Sequence, residues 1–129
     1  MGQRFLLDSN TVIDYTSQLL PDTATIAIDN IVDEAFIISI VVKIEVLGFN
    51  GQPGKMKKLE RFLQLATIVP LNDDIVDKTI ELRKKHKKLG LGDAIIAATA
   101  SVNNYTLITR NIADFKNIYG LKLINPYDL

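Results

Sequence analysis

An α/β architecture, with a parallel sheet covered by helices on both faces, is what this sequence predicts, and three observations predict it. Short apolar runs rich in Ile, Val, Leu and Phe recur along the chain. Longer segments of helical length or periodicity separate them, which is the rhythm of successive strand–helix–strand units. Acidic residues stand just past several of those runs, where an open α/β sheet exposes its ligand crevice.

The first strand is expected over Arg4 to Leu7, with a helix over Thr11 to Leu20 that stops at Pro21. A second helix, Thr23 to Glu34, leads to a strand at Ala35 to Ile40 and a helix at Val41 to Phe49. The turn-rich Asn50-Gly51-Gln52-Pro53-Gly54 then breaks the chain before a helix at Lys55 to Leu65 and a strand at Ala66 to Val69. In the next helix, Asp73 to Lys88, residues Ile75, Val76, Thr79, Ile80 and Leu82 form an apolar stripe, while Asp77, Lys78, Glu81 and Lys84 face outward. Acidic residues open that helix and basic ones close it, as the macrodipole favours. Leu89-Gly90-Leu91-Gly92 is a break, Asp93 to Asn103 a helix, Thr106 to Thr109 a strand, Tyr119-Gly120 a turn, and Leu121 to Ile124 the last strand.

The 129 residues fit one domain over positions 1–129, enough to bury about two thirds of the unfolded surface. With no cysteine, thiol catalysis, disulfides and iron–sulfur clusters are excluded, and the single His86 cannot build a His-rich site. Any metal must therefore be bound by oxygen. No apolar run approaches the roughly 18 residues of a membrane span, and the N-terminus lacks a signal-peptide core, so a cytoplasmic protein with no membrane partner is expected. Fifteen basic and fifteen acidic residues cancel, so the overall charge points to no polyanion.

Asp8, Glu45, Asp93 and Asp114 each interrupt or end an apolar stretch. Asp8 and Asp114 follow the first and fourth strands, and Glu45 lies on the second turn of the helix after strand two. Asp93 joins them if its helix runs antiparallel to the strands. Four carboxylates brought together raise one another's pKa, a conflict that a divalent cation removes. Mg²⁺, taking a few carboxylates, several waters and phosphate oxygens, suits such a set, and polymeric phosphate is the natural substrate. Plainer roles exist. Asp8 or Asp93 is suited to cap the following helix, and Asp114 to sit in a turn, but an apolar helix has little reason to carry Glu45 unless it is paired or ligated.

The segments Leu6-Leu7-Asp8-Ser9-Asn10, Ser39 through Gly48 with Glu45, Gly92-Asp93-Ala94-Ile95-Ile96-Ala97-Ala98-Thr99-Ala100, and Leu107 through Phe115 with Asp114 resemble the successive motifs of the PIN domain. In order and spacing they are most similar to the VapC-like toxins of toxin–antitoxin pairs, over Arg4 to about Pro126. The resemblance implies a three-layer α/β/α sandwich with a central parallel sheet of four to five strands. It also implies a Mg²⁺-dependent endoribonuclease, with Mn²⁺ as a substitute, acting as the toxin of a type II pair. Carried over by motif, Asp8, Glu45, Asp93 and Asp114 are the catalytic acids and metal ligands, Asp8 and Asp93 in most direct contact. Ser9, Asn10, Thr109 and Asn111 match polar positions that orient carboxylates or substrate. A homodimer, an RNA substrate and a cognate antitoxin lying over the groove are implied with them. One departure is Val42, where many relatives have a hydroxyl three residues before the helix Glu; it puts a substrate or capping contact in doubt.

Basic residues cluster at Lys55, Lys57, Lys58 and Arg61, and at Arg83, Lys84, Lys85, Lys87 and Lys88, either of which suits RNA phosphates. For the second cluster a solvated helix end is an equally good account. Arg110, beside the fourth acid, is the better phosphate contact, and the loop from Phe49 to Lys55 suits substrate recognition. Aromatics are too sparse for stacking along a strand. The alternative reading keeps the fold as a catalytically silent PIN-like RNA- or protein-binding module, against which stands the presence of all four acids. A receiver domain would need an acidic pair where Asp8-Ser9 stands, and neither a dinucleotide fingerprint nor a Walker lysine is present.

Overall fold

A computed structural model describes residues 2–129. Five parallel strands, β1 (Phe5–Leu7), β2 (Ile37–Ser39), β3 (Thr67–Val69), β4 (Thr106–Ile108) and β5 (Leu123–Ile124), form one sheet in the order β3-β2-β1-β4-β5. Flanking them are α1 (Ser9–Thr16), α2 (Asp22–Glu34), α3 (Ile40–Leu47), α4 (Pro53–Leu63), α5 (Asp73–Lys85), α6 (Leu91–Asn103) and the single turn α7 (Ile112–Phe115). The result is the α/β/α sandwich with a central parallel sheet that the sequence predicts.

Central strands of a parallel sheet are covered on both faces, so they read as unbroken apolar runs. Leu6 and Leu7 of β1 and Leu107 and Ile108 of β4 have no exposed surface. Leu6 pairs with Leu107 on one side and Ile37 on the other. Ala94, Ala97, Ala98 and Ala100 make the buried face of α6 small, which lets α5 and the sheet pack closely on it. Along α5 the apolar stripe is narrower than predicted. Ile75, Thr79 and Leu82 are buried, but Ile80 is 49% exposed and Val76 is also at the surface.

The strand order places a switch point at β1 and β4. From β1 the chain builds outward through β2 and β3, then crosses back to add β4 and β5 on the other side. Helices leaving β1 and β4 diverge there, opening a crevice at the carboxyl ends of the strands.

Helix boundaries differ from the sequence expectation where caps decide them. Asp8 caps α1, its side chain accepting from the Ser9 amide, so the helix starts two residues early. α6 starts at Leu91 from an extended Gly90, which leaves Asp93 inside the first turn rather than at the cap. α5 stops at Lys85, so Lys87 and Lys88 lie beyond the helix. Among the described residues no helix is long and apolar enough to cross a membrane.

Candidate active site

The crevice at the switch point is assembled from both sides by hydrogen bonds. Asp8, 4% exposed, donates its amide to the Ile108 carbonyl at 3.0 Å, continuing the β1–β4 ladder by one residue. Its Oδ1 accepts from the Ser9 amide at 2.8 Å. Its Oδ2 accepts from Thr109 Oγ1 at 2.7 Å and from Asn10 Nδ2 at 3.2 Å. Asn10 Oδ1 in turn accepts from the Arg110 amide at 3.1 Å, and Thr109 Oγ1 accepts from the Asn111 amide at 3.1 Å. Thr11 completes the seam by donating to the Ile108 carbonyl. Burial raises the Asp8 pKa and the Glu45 charge adds to it, while the Thr109, Ser9 and Asn10 donors oppose the rise.

Glu45 comes from the second turn of α3, and its Oε1 accepts from Ser9 Oγ at 2.5 Å. Contrary to the argument from an apolar helix, Glu45 is exposed, as are its neighbours Lys43 and Ile44. What holds it is Ser9, and Glu45 Oε2 comes close to Gly92, where an added Cβ would sit in ordinary contact with it at 3.4 Å.

Asp93 is partly buried in the first turn of α6. Burial pushes its carboxyl up to about 6, and the negative charges of Asp8, Asp114 and Glu45 push in the same direction. One carboxyl thus feels the other three. Asp114 is exposed in the first turn of α7, its amide donating to the Asn111 carbonyl. Asp93 and Asp114 line the same polar cleft of about 470 Å³.

Among the described residues no three His, Cys, Asp or Glu side chains are gathered tightly enough to enclose a metal ion unaided. An ion such as Mg²⁺ keeps several waters and uses one or two carboxylates plus substrate phosphate rather than an all-protein cage. Carboxylate oxygens are the right donors for it, and mutual repulsion gives them a reason to accept a cation.

Two residues that the sequence did not single out complete the framework. Asp14, 2% exposed on α1, takes Arg110 Nη1 on both oxygens at 2.9 and 2.7 Å and accepts from the Tyr127 hydroxyl at 3.0 Å. Arg110, expected to meet a phosphate, therefore has one nitrogen committed to fastening the β4–α7 loop to α1. The signal for Asp14 is the one used for the other acids, a carboxylate in the apolar run Val12-Ile13-Asp14.

The PIN domain family matches residues 5–121 of this chain. The chain belongs to the PIN domain family. Ribonuclease VapC1 of Rickettsia felis is 31% identical over 101 residues, 70% of this chain and 75% of that protein. Ribonuclease VapC1 of Methanocaldococcus jannaschii is 27% identical over 126 residues, covering 93% and 86% of the two chains. Among solved structures, VapBC2 from Rickettsia felis bound to a promoter DNA fragment superposes with a TM-score of 0.81 at 25% identity, over 95% of this chain and 98% of that one. A toxin–antitoxin complex from Klebsiella pneumoniae gives 0.72 at 29% identity, over 96% and 98%. These relatives place this PIN domain in its VapC-like branch.

In this PIN domain the missing hydroxyl at Val42 has a local explanation. Val42 is fully buried, and α3 is capped instead by Ser39, whose Oγ accepts from the Val41 amide at 3.1 Å. A second cleft, of about 580 Å³, lies between α1, α4 and the loop joining α3 to α4; it is lined by Ile13, Val46, Phe49 and Met56 and contains none of the four acids.

Proposed function

We propose that this PIN domain is a Mg²⁺-dependent endoribonuclease, with Mn²⁺ as an alternative ion, and the toxin of a type II toxin–antitoxin pair. The observation that carries the reading is the convergence of four acids on the switch-point crevice, where Asp93 feels the charges of Asp8, Asp114 and Glu45. Relatives named ribonuclease VapC and structural neighbours described as toxin–antitoxin complexes support it.

Asp8 and Asp93 are the direct metal ligands in this reading, with Glu45 and Asp114 completing the charge. A divalent cation there supplies charge for an attacking water and for the leaving oxygen of the phosphodiester. The protein's part is orientation. Thr109 and Asn10 fix the Asp8 carboxylate, Ser9 fixes Glu45, and Asn111 sets the start of α7 so that Asp114 faces the cleft. Partners consistent with the reading are an antitoxin protein and a second copy of the chain in a homodimer.

The test is cleavage of total RNA by purified protein with Mg²⁺ or Mn²⁺ against EDTA, for the wild type and Asp93→Asn. Discrete fragments that require both the ion and Asp93 are expected; cleavage that persists in EDTA would remove the metal mechanism. Induction in cells should arrest growth, with Asp8→Asn relieving the arrest.

A further inference from the structure

The cleft that contains Asp93 and Asp114 has a basic wall. His86, Lys87 and Lys88 line it together with Asn117. We propose that Lys87 and Lys88 form a subsite for a backbone phosphate of single-stranded RNA, next to the phosphate that is cleaved. The inference rests on the ribonuclease reading and adds to it where the strand lies.

Three features set these lysines apart from an ordinary solvated helix end. The macrodipole accounts for cations in a last helical turn, and Arg83, Lys84 and Lys85 occupy that turn of α5. Lys87 and Lys88 come after it. Lys85 is paired with Glu81 at 3.3 Å, whereas the side chains of His86, Lys87 and Lys88 make no hydrogen bond or ion pair among the described residues. The turn that presents them is also firmly seated. The His86 amide donates to the Leu82 carbonyl, the Leu89 amide to the His86 carbonyl at 3.0 Å, and Leu89 is buried in the core.

Charge selects the occupant. The lysines share a cleft with two carboxylates yet are not paired with them, so the cleft's lining carries both positive and negative charge. An acidic protein segment would meet repulsion from Asp93 and Asp114. A phosphodiester chain fits both, one phosphate reaching the acids through a cation and its neighbour lying on the lysines. On the other side of the molecule, Lys58 donates to the Thr16 carbonyl at 2.8 Å, beside the largely apolar cleft. That cluster offers no comparable junction of basic and acidic groups.

The experiment measures binding of a short fluorescein-labelled single-stranded RNA by the full chain, with Ca²⁺ in place of Mg²⁺ and again in EDTA, across a KCl series, alongside metal-dependent cleavage. Lys87→Ala/Lys88→Ala should weaken binding about 10-fold and reduce the salt slope by about 1 to 2, as loss of two phosphate contacts requires. Cleavage should lose through KM, with kcat little changed. Lys87→Arg/Lys88→Arg should keep the slope, and Lys57→Ala/Arg61→Ala should match the wild type. Unchanged affinity and slope in the double alanine variant, with the wild type still cleaving RNA, would overturn the subsite and leave the nuclease standing. A wild type that neither binds nor cleaves RNA overturns both. Loss of poly(glutamate) binding with RNA affinity intact would assign the wall to an acidic partner instead.

Discussion

The two sides of the acidic crevice are built differently. On the α1 side every carboxylate is engaged: Asp8 by Ser9, Asn10 and Thr109, Glu45 by Ser9, and Asp14 by Arg110 and Tyr127. On the α6 and α7 side no side-chain hydrogen bond reaches Asp93 or Asp114 among the described residues, and the facing wall is basic. Asp8 is more buried than Asp93, yet three donors counter its rise, whereas nothing counters that of Asp93. One side is organised in advance by the protein. The other leaves its carboxylates without side-chain donors, so their mutual repulsion is uncompensated.

Asp93→Asn tests the bare side and should have the largest effect. Loss of a ligand worth several kcal/mol of charge stabilisation lowers cleavage by about 10³-fold. The same change should stabilise the metal-free protein. Asp93 binds its proton more tightly folded than unfolded, so its contribution to stability is intact below its ordinary value of 3.8 and is lost as pH rises through about 6. In EDTA at neutral pH the variant should melt higher by about 4 °C, for a gain near 1 kcal/mol after allowance for solvent screening, with the gap closing toward pH 4. A gap that does not depend on pH would break the contrast between the sides.

Thr109→Val tests the organised side. It removes the buried hydroxyl that donates to Asp8 with little change of shape, at a cost of about 1–3 kcal/mol, or roughly 10- to 100-fold in cleavage. Thr109→Ser should recover most of the loss, and titration of Mg²⁺ should show weaker binding in the valine variant only. Arg110→Met leaves Asp14 buried with Tyr127 alone. Because Arg110 is half exposed, the expected loss is about 2 kcal/mol, below that of a fully buried pair, read as a lower Tm with cleavage changed only a few-fold. Phe49→Ala, 56% exposed at the apolar cleft, should leave cleavage within about 2-fold. A loss of 10-fold or more there would move RNA recognition to the apolar cleft and away from the basic wall.

Strands and crevice were legible in the sequence because their signals are local. β2 and β4 are continuous buried runs, and chain order alone puts Asp8 just past β1 and Glu45 and Asp114 on the helices that follow β2 and β4. Less was legible where a contact spans the chain. Asp14 meets Arg110 and Tyr127 across 96 and 113 residues, so no window contains the pair that makes its burial tolerable. Glu45 illustrates a sound residue choice with the wrong reason: its helix is exposed on that face, and the partner that matters, Ser9, is 36 residues away. Val76 and Ile80 extended the predicted stripe because periodicity marks apolar positions without showing how wide a face the neighbouring helix covers. The helix boundary that frees Lys87 and Lys88 depends on where α5 yields to the turn anchored by Leu89.

The seam between β1 and β4 also has a consequence in time. Asp8 precedes its Thr109 donor by 101 residues, and Asn10 precedes the Arg110 amide by 100. Strand β1 lies at the centre of the sheet, and its β4 partner comes far later in the chain than its β2 partner. Such high sequence separation makes closure of the crevice a late event in folding. Until β4 docks on β1, Asp8 lacks the Thr109 donor that fixes its carboxylate.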